Sequence, residues 1–271
     1  MTKNTIITSP GLIPRQRVSW IPKLYPYVTG ITFPGVSVIT CTNRPQQMAN
    51  VLFNYLNQNY VLKELIVVLN KNSINLSHWQ IKTAKYSDIR VFQLDEKKSL
   101  GECLNFAVTQ SRFNYIAKFD DDDYYGCKYL QSSIPAFFYT RADIIGKCSM
   151  YVYFNPSKTL VLLTPHNEDC YVESVKGATI IVKKEVFNKL QFSPVTLGED
   201  TDFLTRCARN KLVIYSTSRF NYVNIRGAAD EHTWQLDELN YLKSFPSYQT
   251  ISHDLSLSDV HKLINTGQIN P

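Results

Sequence analysis

The 271-residue chain has no C-x-x-C pair, although it holds six cysteines, at positions 41, 103, 127, 148, 170 and 207. That scatter excludes the spacing of a zinc site and of a dense disulfide framework. Six reduced thiols in a cytoplasmic protein are the expectation. The chain also lacks an apolar run approaching the ~18–20 residues that span a bilayer, and its first residues show no signal-peptide pattern. Secretion and a membrane anchor are disfavoured, which leaves peripheral contact with the inner face of a membrane open. No dense Lys/Arg block occurs, so a nucleic-acid partner is not expected. Internal repeats and low-complexity segments are absent as well.

What is present is ordinary in bulk. An apolar fraction of 44% and a charged fraction of 19% suit a globular chain and not a disordered one. The net charge of +6 is modest and favours an anionic partner without choosing one. Residues 1–35 carry Pro10, Pro14, Pro22, Pro26 and Pro34 and read as an extended arm, with Trp20, Tyr25 and Tyr27 available for packing.

From residue 36, strands and helices alternate. Val36 to Cys41 is a β-rich strand that stops at Thr42-Asn43-Arg44-Pro45. Residues 46–58 place Met48, Val51, Leu52, Tyr55 and Leu56 at helical spacing. Leu65 to Leu69 is a continuous apolar run, as in a strand buried on both faces. A helix over 76–86, a strand over 89–94, a helix over 100–111 and a strand over 115–119 follow. This order predicts a mostly parallel sheet with helices on both faces. Ligands then bind beyond the carboxyl ends of the strands. Thr42 to Arg44, Asn70 to Asn72, Asp95 and the run Asp120-Asp121-Asp122-Asp123 all stand at such ends.

The second half is mixed. Residues 151–154 and 159–163 read as a hairpin, 178–182 as a strand and 184–190 as a helix. Gly198-Glu199-Asp200 opens a helix to about Asn210, and 212–215 is a short strand. Helices are expected over 235–245 and 256–265, the last capped by Ser256 or Ser258.

Four adjacent carboxylates at a strand end repel one another unless a cation neutralises them. In an extended stretch Asp120 and Asp122 point to one side, so such a pair can put one carboxylate on a ribose hydroxyl and the other on a metal. Oxygen ligands suit Mg²⁺ or Mn²⁺. A solvated acidic loop is the plain competing reading. A calcium loop of the EF-hand kind fails, because Tyr124 and Gln131 stand where acidic residues belong. Asp200, near a helix start, is a candidate general base; an ordinary acidic first turn is the competing reading there.

Taken in order, several segments resemble family 2 glycosyltransferases of the GT-A fold. Val36 to Pro45 is similar to their first strand and loop. Ser99-Leu100-Gly101-Glu102-Cys103-Leu104-Asn105 resembles their glycine-and-asparagine helix start, and Tyr115 to Asp123 their D-x-D strand. Gly177-Ala178 and Gly198-Glu199-Asp200-Thr201-Asp202-Phe203 resemble their acceptor-side glycine and E-D motif.

The resemblance covers about residues 35–235. It implies a Rossmann-like α/β domain over 36–225, with a nucleotide-binding half over 36–125 and a smaller mixed acceptor half over 126–225. Residues 1–35 are then an arm, and 226–271 a tail with helices. The implied activity is hexosyl transfer from a nucleotide diphosphate, most simply a UDP-sugar, to a carbohydrate or lipid-linked acceptor. It implies inversion, a non-processive course, Mn²⁺ or Mg²⁺, and a bacterial-type envelope or cell-surface glycan as product.

By position Asp122 is the metal ligand, Asp120 the ribose contact and Asp200 the base. Thr42, Asn43, Arg44, Asn70, Gly101, Asn105 and Asp121 lie around the nucleotide sugar. Gly177 and Glu199 fall on the acceptor side. His232 is a second candidate metal ligand, Trp234 a candidate sugar-stacking ring, and the stretch from Arg226 to His232 a candidate lid over the diphosphate.

Two departures stand out: Asn70-Lys71-Asn72 replaces an aspartate pair, and the Q-x-x-R-W motif of processive synthases is missing. A non-catalytic sugar-binding protein is the alternative. A haloacid-dehalogenase-like phosphohydrolase fits less well, since its D-x-D stands on an early strand. A sugar nucleotidyltransferase needs a glycine-rich loop after the first strand, and Thr42 to Pro45 has no glycine.

Overall fold

The computed structural model of the chain describes residues 33–228 and 236–267. The proline-rich arm up to residue 32, with Trp20, Tyr25 and Tyr27, lies outside the described residues.

The first half follows the alternation read from the sequence. Its elements are β1 (Val36–Thr42), α1 (Met48–Leu56), β2 (Lys63–Leu69), α2 (Leu76–Thr83), β3 (Ile89–Gln93), α3 (Leu100–Gln110) and β4 (Tyr115–Lys118). Pro45 opens a 3-10 turn, Pro45–Gln47, that leads into α1. Ser99 caps α3 in a reciprocal box: its hydroxyl accepts from Glu102 N–H, and Glu102 accepts from Ser99 N–H.

The continuous apolar run of β2 is explained by burial on both faces. Leu65, Val67 and Leu69 join one apolar cluster, while Ile66 and Val68 join the other. Polar groups buried in this sheet need partners. Glu64 is fully buried and accepts from Ser37 Oγ at 2.6 Å, Arg112 N at 2.6 Å and Arg90 Nη2 at 2.8 Å.

Next come β5 (Tyr124–Tyr125), α4 (Tyr129–Ser133), α5 (Ala136–Tyr139), β6 (Ile144–Gly146), β7 (Met150–Phe154), β8 (Thr159–Leu163) and β9 (Cys170–Tyr171). Then follow β10 (Ile181–Lys183), α6 (Glu199–Arg209), β11 (Ile214–Ser216), β12 (Tyr222–Arg226), α7 (Glu238–Lys243), β13 (Tyr248–Ser252) and α8 (Leu257–Thr266).

The strands form an eight-stranded sheet of order β3-β2-β1-β4-β10-β6-β11-β9 and a five-stranded sheet of order β13-β8-β7-β12-β5. Parallel pairing joins β3, β2, β1 and β4, and β10 enters antiparallel between β4 and β6. The fold is α/β, with a mostly parallel central sheet and a second, mixed sheet. β7 and β8 form the expected hairpin. α8 and the outer face of the second sheet bury a third cluster around Tyr153, Leu162, Val260 and Ile264.

Several expectations need correction. The strand expected over 178–182 begins as a 3-10 turn, Gly177–Thr179, and extends only over Ile181–Lys183. The helix expected over 184–190 is a 3-10 turn, Lys184–Asn188. The helix expected over 235–245 is the shorter α7, capped by Asp237. β12 went unread, yet it is the strand that links β7 to β5.

All six cysteines are free thiols. Among the described residues no helix is long and apolar enough to cross a membrane.

Candidate active site

A cleft of about 560 Å³ opens where the central sheet meets the second sheet. The Asp run makes the junction. It leaves β4 in the central sheet and enters β5, which pairs with β12 in the second sheet.

Each of the four carboxylates does something different. Asp123 is buried and structural. It accepts from Tyr222 Oη at 2.6 Å, Asn224 Nδ2 at 2.7 Å and Ile225 N at 3.1 Å, and its carbonyl accepts from the Asn50 and Asn54 amides. Asp121 is also buried. It accepts from the Thr42 hydroxyl and, at 3.1 Å, from Arg44 Nε. Asp120 and Asp122 line the cleft. Asp120 Oδ1 pairs with Lys118 Nζ at 2.6 Å, and Asp122 Oδ2 pairs with Arg44 Nη1 at 3.0 Å.

Facing this run is the start of α6. Gly198, in the left-handed region at φ 79°, turns the chain so that Glu199 and Asp200 open the helix. Asp200 leans over Gly177: a Cβ built there would stand 1.5 Å from Asp200 Oδ2. Only glycine leaves that space.

Glu199 is 4% exposed and lines the cleft. Burial pushes its carboxyl up to about 7; nearby Lys118 opposes the rise and Asp200 adds to it. Lys118 is itself buried. Burial alone would lower its ammonium, but the carboxylates of Asp120, Asp200 and Glu199 outweigh that and raise it. One cation thus sits among three carboxylates, drawn from both sides of the cleft.

The remaining expected residues divide into three groups. Thr42, Asn43, Arg44 and Asn70 all line the cleft. Arg44, expected on the nucleotide, is engaged with Asp121 and Asp122, which hold its guanidinium above its ordinary value against the opposing effect of burial. Asn70 Nδ2 donates to Asp95 O at 2.9 Å.

Gly101 and Asn105 are not brought to the cleft. A Cβ at Gly101 would stand 1.9 Å from Ser193 O. Asn105 exchanges two hydrogen bonds with the Phe192 backbone, at 2.8 and 3.0 Å. Together they fasten the loop that leads into α6, whose Thr196, Leu197 and Gly198 line the cleft.

Arg226, expected at the start of a tail, is the last residue of β12. Its guanidinium lies 4.7 Å over the Tyr241 ring. His232 and Trp234 lie outside the described residues.

Sequence reasoning missed Lys118 and Lys176. Lys118 stands in the strand over 115–119 and belongs to no motif. Lys176 stands beside Gly177 with its ammonium 4.4 Å over the Phe245 ring, a partner too distant in sequence to suggest the contact.

Residues 37–182, more than half of the 271-residue chain, match the family described as glycosyl transferase family 2. The chain belongs to glycosyl transferase family 2. No curated protein matches the chain in sequence.

Among solved structures this family 2 chain is similar to the crystal structure of S. aureus TarS 1-349, at 16% identity and TM-score 0.57, over 70% of this chain and 60% of that one. It is similar to the same protein in complex with UDP-GlcNAc, at 17% identity and TM-score 0.58, over 71% and 58% of the two chains. The complex with UDP matches at 17% identity and TM-score 0.58, over 78% and 72%. At such identities the likeness concerns the fold. For the first two structures the chain covers less than two thirds of their length.

Proposed function

We propose that this glycosyltransferase moves a hexose from a nucleoside diphosphate, most simply UDP, to a hydroxyl of a carbohydrate or lipid-linked acceptor. The reaction is a single displacement with inversion, adding one or a few sugars to a cell-surface or envelope glycan. The enzyme works in the cytoplasm, peripherally at the inner face of the membrane. One observation carries this reading. A single cleft gathers Asp120 and Asp122 from the end of β4 on one side and Asp200 from the start of α6 on the other. A UDP donor is supported by the similar fold of TarS, which was crystallised with UDP-GlcNAc and with UDP.

The division of labour follows from position. Asp120 accepts from a ribose hydroxyl while Lys118 holds its carboxylate. Thr42, Asn43 and Asn70 border the nucleotide. Asp122 suits Mg²⁺ or Mn²⁺ by its oxygen chemistry. Among the described residues no three His, Cys, Asp or Glu side chains are grouped to hold a metal. A cation would therefore rest on Asp122 together with diphosphate oxygens and water. When bound, it neutralises charge on the leaving diphosphate.

Asp200 takes the acceptor proton as the acceptor oxygen bonds to the anomeric carbon. The bond from that carbon to the diphosphate oxygen breaks, and its electron pair leaves with the nucleotide. Glu199, one residue away and buried, lines the acceptor side beside the base. Residues 36–125 supply the donor side, and 126–225 the acceptor side. Of the expected tail, β13 extends the second sheet, and α7 and α8 pack into the apolar clusters.

A thermal-shift series tests this reading. Nucleoside diphosphates with Mn²⁺ should raise the melting temperature, with UDP giving the largest rise, and chelator should reverse it. Equal melting temperatures with and without every nucleotide would refute a donor site. Glycan binding independent of nucleotide would favour the non-catalytic alternative.

A further inference from the structure

Among the described residues four cations line the cleft, and two of them pair with its carboxylates. Arg44 pairs with Asp121 and Asp122, Lys118 pairs with Asp120, and Arg226 lies against Tyr241 with Nη2 donating to Leu236 O at 3.2 Å. Lys176 differs. Among the described residues its ammonium makes no ion pair, and its contact is the face of Phe245 at 4.4 Å. Burial lowers it from its ordinary value, and no carboxylate offsets that.

Its backbone is fixed at both ends. Lys176 N–H donates to Lys147 O at 2.8 Å, and its carbonyl accepts from Thr179 N at 2.9 Å and Thr179 Oγ1 at 2.7 Å. The next residue is Gly177, which carries the Asp200 carboxylate against its α-carbon. The ammonium is therefore held on a ring in the cleft, and the backbone that carries it is one residue from Gly177, where the base stands. A desolvated cation gains most from an anion that arrives with a ligand.

We propose that Lys176 is an anion subsite on the acceptor side of the cleft, so that the accepting sugar carries a phosphate or carboxylate close to its reactive hydroxyl. This rests on the donor-site reading above, and it goes beyond it by naming the chemical class of acceptor. The Phe245 ring carries the ammonium, and Ser174 and Thr201, which line the same cleft, add no negative charge. The donor diphosphate is the competing anion, and the test separates the two.

The full-length chain is first saturated with UDP and excess Mg²⁺. Glucose, glucose 6-phosphate and glucuronate are then titrated in turn by ligand-observed NMR. One or both anionic sugars should bind at least about tenfold more tightly than glucose, without displacing UDP. The stronger of the two tells phosphate from carboxylate. Lys176→Met should abolish the difference, and Lys176→Arg should keep most of it.

Equal binding of all three sugars, or a preference that survives in Lys176→Met, overturns the subsite. Displacement of UDP by the anionic sugar, or a tenfold loss of UDP affinity in Lys176→Met, assigns the ammonium to the donor diphosphate and also overturns it. Failure of the wild-type chain to bind UDP is a different result: it is seen before any sugar is added, and it refutes the donor reading and this inference together.

Discussion

The carboxylate of Asp200 rests against the α-carbon of Gly177, so that the glycine and the acid occupy one space. No side chain fits at 177 unless Asp200 moves. The two residues come from different elements, a 3-10 turn before β10 and the first turn of α6. The glycine is therefore a condition for the position of the proposed base.

Gly177→Ala should push Asp200 away from the acceptor side of the cleft. Turnover should fall by about 10²–10⁴-fold, the usual contribution of a positioned base. Nucleotide affinity should stay within about threefold, because the displaced group faces the acceptor. Steady-state rates combined with calorimetry of UDP binding check both. Unchanged turnover would show that Asp200 is not held where the reaction needs it.

Asp122 and Asp123 are neighbours with opposite expected phenotypes. Asp122→Asn should leave the melting temperature near wild type and remove the metal dependence of nucleotide binding. Asp123→Ala should strip partners from Tyr222 Oη, Asn224 Nδ2 and Ile225 N, and cost about 3 kcal/mol of stability. Chemical denaturation and calorimetry on the two variants separate these effects. Exchanged phenotypes would refute the division of roles within the Asp run.

Glu199 gives a pH dependence of definite sign. Its carboxyl is raised from an ordinary 4.5 to about 7, chiefly by burial. The folded protein thus holds this proton more tightly than the unfolded chain does. The resulting stabilisation is complete below the unfolded value and is lost as pH rises through about 7. Its size is on the order of 3 kcal/mol. Glu199→Gln removes the titration, so its stability should fall less than that of wild type between about pH 5 and pH 8. Parallel slopes for the two proteins in denaturation series would contradict the assignment.

The parts of this arrangement that were legible in the sequence are the ones with a local cause. The apolar run of β2 is continuous because both faces are covered, and burial on both faces is all that such a run requires. The Asp run marked the end of β4 because uncompensated carboxylates are costly wherever they fall. The turn at Gly177–Thr179 was hidden by the strand-like residues after it. It places Gly177 against Asp200, a contact made across the fold.

Gly101 and Asn105 were read as nucleotide contacts, but they fasten the loop before α6 through Ser193 and Phe192. A motif can serve a site through packing as well as by touching the ligand. Lys118 and Lys176 were invisible for the converse reason. Their meaning lies in what surrounds them, three carboxylates in one case and an aromatic face in the other.

The central claim is that one cleft separates donor binding from proton removal, with Asp200 serving only the latter. The most direct measurement is turnover of a UDP-sugar by Asp200→Asn, taken beside its affinity for UDP with Mn²⁺. Turnover should drop by about 10²–10⁴-fold while the affinity stays close to wild type. Sugar transfer at a near wild-type rate by Asp200→Asn would contradict the account.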